Sequence, residues 1–245
     1  GWLGLPFEEE DGGFGGNQID VLVVMEQFGR GLVLEPYLAS IVMGGGALKR
    51  GGTDALKSEI LPQVIEGTLQ LAFAYAEEQS RFDLDDVMTS ARKEGENFVL
   101  NGQKSMVQNA ETADKIVVSA RTSSGQVSPQ GITLFLIDAD AEGLSRDNFP
   151  TVDGLRASEI TLENVSVGPD RILGEVDQGF SILQSVANDA MLALSAEAVG
   201  AMEVLYKDTV DYTQQREQFD HPLSEFQVLQ HRMVDMFMEY EQCKS

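Results

Sequence analysis

Chemically active side chains are sparse in this chain of 245 residues, and their spacing is loose. Its two histidines, His221 and His231, and its one cysteine, Cys243, are the only imidazole and thiol ligands it offers a metal. Zinc is held by three or four such groups, usually in short paired spacings, so no metal site is expected. His221 precedes Pro222 in a turn-like stretch, and His231 stands beside Arg232 on a helical pattern, which makes solvent-facing roles their default. Phosphate-cradling chemistry needs a strand, a glycine loop of fixed spacing and a helix in succession. The run Gly44, Gly45, Gly46 lacks that spacing, while Gly12, Gly13, Gly15 and Gly16 read as a flexible turn. No dense catalytic constellation is present.

The elements around these residues fall into three regions by hydrophobic period. Residues 17–67 are helical in pattern. Ile19, Leu22, Val23, Met25 and Phe28 suggest one apolar face, ended by Gly29 and Gly31. Pro36 opens the next helix, which Gly44 to Gly46 interrupt or end. Thr53 can cap a third helix through Leu56 and Ile60, with Pro62 placed to bend or break it. Between Leu69 and Pro169 the period shortens. LQLAFAYA, NFVLNG, KIVVSAR, GITLFLID and EITLENVSV read as strands, and Asn101 with Gly102 is the strongest hairpin signal. Beyond Gly174 the pattern is helical again. Asp177 is the expected cap of a run over residues 178–215, roughly 55 Å long at 1.5 Å per residue, with Ile182, Val186, Ala190, Leu194, Val199, Met202 and Leu205 as its apolar positions. The expected fold class is α+β: N-terminal helices over residues 1–68, a middle antiparallel β-barrel over 69–174, and a C-terminal helical bundle over 175–245.

Aspartate and glutamate number 40 against 17 lysines and arginines, for a net charge of −23. A field of that sign repels nucleic acid and anionic membrane surfaces, so neither is an expected partner. No stretch reaches the ~20 apolar residues of a membrane helix, and no signal peptide is visible. The lone cysteine fits a reducing, cytoplasmic setting. The start at Gly1 and the helical pattern running to Ser245 suggest truncation at both ends.

Four segments, in order, resemble the acyl-CoA dehydrogenase family: GWLGLPFEEEDGGFGG, NFVLNGQKSMVQNAETADKIVVSART, DGLRASEITLENVSVGPDRILGEVDQGF and QREQFDHPLSEFQVLQHRMVDM. Each is weak alone, but together they cover most of the chain. EQFGRGLVLEPYLA looks most like subfamilies acting on steroid side chains or dicarboxylates, among them heteromeric subunits. The resemblance implies an oxidoreductase of fatty acid or steroid catabolism that binds FAD between the β-domain and the C-terminal helices. Such a protein takes an acyl-CoA substrate, passes electrons to an electron-transfer flavoprotein and works as an oligomer.

Carried over residue by residue, the resemblance implies cofactor contacts at Tyr75, Ala76, Met106, Gln108, Arg216, Gln218, Phe219 and Gln227, and substrate contacts at Phe82, Asn188 and Met191. Several depart from the family pattern. Ala76 and Phe82 stand where hydroxyls are expected, Met106 where an aromatic would stack, and Asp220 where glycine is usual. Asn188 and Met191 replace an aspartate and an arginine, and the position of one branch's glutamate base is Ala190, with Asp189 turned about 100° away. No catalytic base can be named. Three functions remain open: an active FAD-dependent acyl-CoA dehydrogenase, a non-catalytic partner subunit contributing to a shared FAD site, and an acidic binding protein on the same fold.

Overall fold

The computed structural model describes residues 1–245 and divides into two compact units. The first comprises residues 1–17 and 34–190; the second comprises 18–33 and 191–245.

The first unit is built on one eight-stranded mixed sheet. Its strands are β1 (Leu71–Ala74), β2 (Ser90–Glu94), β3 (Asn97–Gln108), β4 (Lys115–Arg121), β5 (Ile132–Asp138), β6 (Leu144–Pro150), β7 (Arg156–Val167) and β8 (Ile172–Leu173). They pair in the order β6-β7-β3-β2-β4-β5-β8, with β1 added alongside β4 in parallel. The expected antiparallel barrel is not formed: the two end strands, β6 and β8, do not meet, and the sheet is open. The reason lies in those ends. β8 is two residues long, and β6 is a largely exposed strand ending in Pro150, which has no N–H to extend a ladder. β2 touches β4 only at Ser90 and Arg121, so the sheet splays there. Inside it, Phe98, Leu100, Ile116, Val118, Phe135, Ile160 and Val165 form a continuous buried cluster, each side chain contributing about 1.5–3 kcal/mol by leaving water.

The expected hairpin at Asn101 and Gly102 is also absent. Both residues lie within the single strand β3, and the turn that joins β2 to β3 is at Gly95, with φ 64°. Gly102 serves a close approach instead, since a Cβ there would lie 2.6 Å from the backbone of Thr89. β2 and β6, SARKE and LSRDNFP, gave no apolar alternation; partners β3 and β7 recruit them by hydrogen bonding.

Helices of this unit follow their caps more than their glycines. A π-helical stretch, Leu38–Gly45, runs directly into α2 (Gly46–Gly51), so the glycine triplet does not end it. Gly44 packs against Leu71, and Gly45 against the ring of Phe7, which explains why they must be small. In α3 (Asp54–Glu66) the Thr53 hydroxyl caps Leu56 N at 3.2 Å, as its sequence position predicts, and Gly67 closes the end at φ 76°. Pro62 leaves that helix unbroken.

α4 (Phe180–Gln215) is a single 36-residue helix that continues into the second unit. Asp177 does not cap it. Gly179 holds that place, its carbonyl accepting from Leu183 N, while the Asp177 carboxylate takes the Thr122 hydroxyl at 2.6 Å. Of the expected apolar positions Val186, Ala190 and Val199 are buried, but Leu194 and Leu205 are exposed.

The second unit contains α1 (Gln18–Gly31), the rest of α4 and α5 (Gln227–Lys244). These C-terminal segments are two helices joined by a hairpin of β9 (Glu217–Gln218) and β10 (His221–Pro222). Gly29 does not stop α1. Cβ atoms on Gly29 and Gly200 would collide with the carbonyl oxygens of Glu197 and Glu26, so the glycines let α1 and α4 touch backbone to backbone. The buried face of α1 is Val21, Met25, Phe28 and Gly29, whereas Ile19 and Val23 are exposed. No helix is long and apolar enough to cross a membrane.

Candidate functional site

β1 and β3 bring the first group of expected residues together. Ser105 N donates to Ala76 O at 2.9 Å, and Lys104 Nζ reaches Tyr75 O at 3.4 Å, so residues 75–76 lie along 104–105. The β3–β7 register slips between Lys104 and Val107, lifting Ser105 and Met106 out of the ladder. Met106 has φ 53°, its N–H held by Glu159 Oε1 at 3.2 Å, and its side chain is 54% exposed. A non-glycine residue at positive φ is uncommon and marks a place where tertiary structure overrides local preference. Val107 turns inward, and Gln108 turns outward with no hydrogen bond to its carboxamide. The result is an accessible wall with a soft thioether and a free amide two residues apart on one strand. Tyr75 is half-buried, and burial pushes its phenol pKa up.

Behind that wall lies a polar network the sequence reading overlooked. Lys104 and Glu77 are both buried and joined at 2.7 Å. The ammonium also donates to Ser119 Oγ at 2.9 Å; the carboxylate also accepts from Met88 N at 2.8 Å, Thr89 N at 3.1 Å and Gln79 Nε2 at 2.9 Å. Burial pulls the Lys104 pKa down to about 8, against the opposing pull of Glu77. Burial works to raise that of Glu77, but the Lys104 ammonium and the hydrogen bonds from Lys104, Gln79 and Thr89 hold it below its ordinary 4.5. A signal existed: Phe98, Leu100 and Lys104 share one strand parity, so a lysine stood at an inward-facing position.

Not every expected residue gathers at this wall. Phe82 stands on the loop after Arg81, 97% exposed. Asn188 is exposed on α4, and its neighbour Asp189 is held in an ion pair by Arg50. Met191 is exposed, 59% accessible, and lies in the second unit.

That unit carries the remaining candidates, on and beside the β9–β10 hairpin. Phe219 and Asp220 form its two-residue turn with φ 55° and 63°, the primed geometry that matches the twist of paired strands. Phe219 is 85% exposed, its ring edge-on to Phe226 at 6.3 Å. Arg216 is exposed, and its guanidinium pairs with neither Glu217 nor Asp220. Gln218 and Gln227 are exposed as well. His221 Nδ1 lies 3.0 Å from Glu225 Oε2 at the surface.

Family models for the acyl-CoA dehydrogenase N-terminal, middle and C-terminal domains match residues 1–68, 72–165 and 177–245 in that order. The chain belongs to the acyl-CoA dehydrogenase family. It is 33% identical over 242 residues to the 3-(aryl)acrylate reductase of Clostridium sporogenes, covering 96% of this chain and 64% of that protein. The caffeyl-CoA reductase–Etf complex subunit CarC of Acetobacterium woodii is 29% identical over 249 residues, covering all of this chain and 65% of the relative. Among solved structures, the FAD complex of PigA superposes with a TM-score of 0.94 at 26% identity, over 100% of this chain and 65% of the other. The chain thus spans a little under two thirds of the length of these proteins.

Proposed function

We propose that this chain provides the flavin-binding portion of an acyl-CoA dehydrogenase, which oxidises an acyl-CoA thioester at its α,β-bond and hands the electrons to an electron-transfer flavoprotein. One observation carries the reading: the wall of Ala76, Met106 and Gln108, which offers a flat ring an accessible thioether and an unused carboxamide. FAD fits that surface, and the chemistry it supplies when bound is acceptance of a hydride. Met106 gives the ring a polarizable contact, and Gln108 can donate to a ring carbonyl or nitrogen. Arg216, free of any carboxylate partner, has the forked donors that phosphate oxygens favour, and Phe219 presents a bare aromatic face. Phe82, Asn188 and Met191 are exposed and open to a substrate. Exposed apolar residues of the second unit, including Leu192, Leu194, Leu205, Phe237 and Met238, support assembly with a further acyl-CoA dehydrogenase subunit.

A second reading has its own support. Alanine and phenylalanine occupy two positions where hydroxyls are expected, and the one acid near the base position, Asp189, is tied to Arg50. A subunit that lends Arg216 and Phe219 to a flavin held largely by another chain would show those losses. The visible spectrum of the full-length protein separates the two. A flavin band that bleaches on adding an acyl-CoA supports the first reading; colour only after co-expression with a second dehydrogenase subunit supports the other. Absence of flavin in both preparations removes both. Arg216→Ala should lower FAD retention about tenfold or more, as expected for a lost charge-assisted phosphate contact; unchanged flavin content per chain after gel filtration would take Arg216 out of the site.

A further inference from the structure

Lys104 and Glu77 are left unused by the proposed reaction, yet they form the most completely buried charged pair in the molecule, with side chains 0% and 3% exposed. Lysine and glutamate are almost never fully buried without a partner. Even paired, they are a poor route to stability, because well-packed apolar residues of similar volume commonly hold a core as well or better. What the pair supplies is direction. The ammonium has three fixed acceptors: Glu77 Oε1, Ser119 Oγ and Tyr75 O. The carboxylate takes the N–H groups of Met88 and Thr89, which anchors the return of the chain from the 78–86 loop into β2. The same backbone reaches the accessible wall on its other side. There Ser105 N bonds Ala76 O, and Met106 follows at φ 53°.

We infer that Lys104 and Glu77 are positioning residues of the flavin site: their pair locks the backbone at Tyr75 and Ala76 against Ser105 and Met106, so the wall is in place before the ring arrives. The inference rests on the reading that flavin lies against that wall. A surface preset in this way spares the cost of ordering it on binding, which appears as affinity. The pair itself touches no cofactor atom; it acts through Tyr75 O and the Ser105–Ala76 bond.

The test uses the full-length protein carrying Lys104→Met together with Glu77→Gln, which removes both charges and strands neither. The thermal midpoint should stay within about 3 °C of the parent. FAD should bind about tenfold more weakly or worse by fluorescence titration, and the visible flavin band should shift, reporting a changed ring environment. Lys104→Met alone should lower the midpoint instead, because it leaves a buried carboxylate unpaired. A folded double variant with parental affinity and parental spectrum overturns the inference. If the double variant does not fold, Ser119→Ala is the milder lesion. It should weaken FAD binding about threefold at a near-parental midpoint, and unchanged binding there overturns the inference too. A parent that takes up no flavin, alone or with a partner subunit, overturns this inference and the functional reading together; flavin bound equally by parent and double variant sinks only the inference.

Discussion

Asp220 shows how one residue can record a compromise. The β9–β10 turn requires positive φ at two successive positions, and neither Phe219 nor Asp220 is glycine. For ordinary L-residues the left-handed region costs roughly 1–2 kcal/mol, with aspartate the more tolerant of the two. Asp220→Gly should therefore raise stability by up to about 1 kcal/mol, read as a higher urea midpoint at unchanged slope; a lower midpoint would mean that the aspartate makes a contact of its own. At Glu77 and Lys104 the sign of the pH dependence follows from proton counting. The carboxyl titrates lower in the folded chain than its ordinary 4.5, so its stabilisation is present above that pH and is lost as pH falls through the folded value. Lys104, depressed to about 8 from 10.5, holds fewer protons folded than unfolded between those values, so stability rises with pH across that window. Relative to the Lys104→Met, Glu77→Gln variant, the parent should lose more stability below about pH 4.5 and gain more above about pH 8. Parallel curves of thermal midpoint against pH would contradict this.

At the level of elements, the crossing of α1 and α4 is the most demanding contact in the second unit. Gly29 and Gly200 face each other's helix backbones, and Arg30 ties the crossing with an ion pair to Glu203 of α4 while also pairing with Glu26 one turn back on its own helix. Alanine favours helix over glycine by nearly 1 kcal/mol in an open position. Here a Cβ has nowhere to go, so Gly29→Ala or Gly200→Ala should destabilise by about 1–3 kcal/mol despite the better propensity. A rise in the thermal midpoint would show that the helices can part without cost. Farther along, Tyr206 packs against Phe237 and Tyr240, joining α4 to α5 through rings 5.6 and 5.1 Å apart. In the first unit the sheet depends on an equivalent economy of backbone. Arg121 donates to the carbonyls of Asp85, Gln126, Ser128 and Gln130, binding two loops to the end of β4 with one side chain.

For the molecule as a whole, a charge of −23 on 245 residues means that carboxylates far outnumber cations and the net field is repulsive. Such self-repulsion favours expansion, and salt screens it over a Debye length of about 10 Å at 0.1 M. Raising sodium chloride from about 0.05 M to about 1 M should lift the thermal midpoint. A midpoint that falls would indicate that the ion pairs at Lys49, Lys115 and Arg171 contribute more than the repulsion costs. The same field opposes an incoming pyrophosphate, which is why unpaired cations such as Arg216 matter to the proposed cofactor site.

The sequence by itself determined the order of helical, strand and helical regions, because β-branched and aromatic content is a local property that KIVVSAR and GITLFLID carry within their own residues. It also determined the Thr53 cap, a contact three residues long, and the family, through motifs kept in order. Tertiary structure alone decided that the sheet stays open, since closure depends on whether β6 and β8 meet and neither strand encodes the other. It decided that SARKE is a strand, that Asn101 and Gly102 lie mid-strand, and that Gly29 and Gly200 are contact points, while α1 ends at Gly31 as expected. Lys104 shows the physical reason. Its charge marks it as a surface residue to any local rule, and only a partner 27 positions earlier in the chain makes its burial possible.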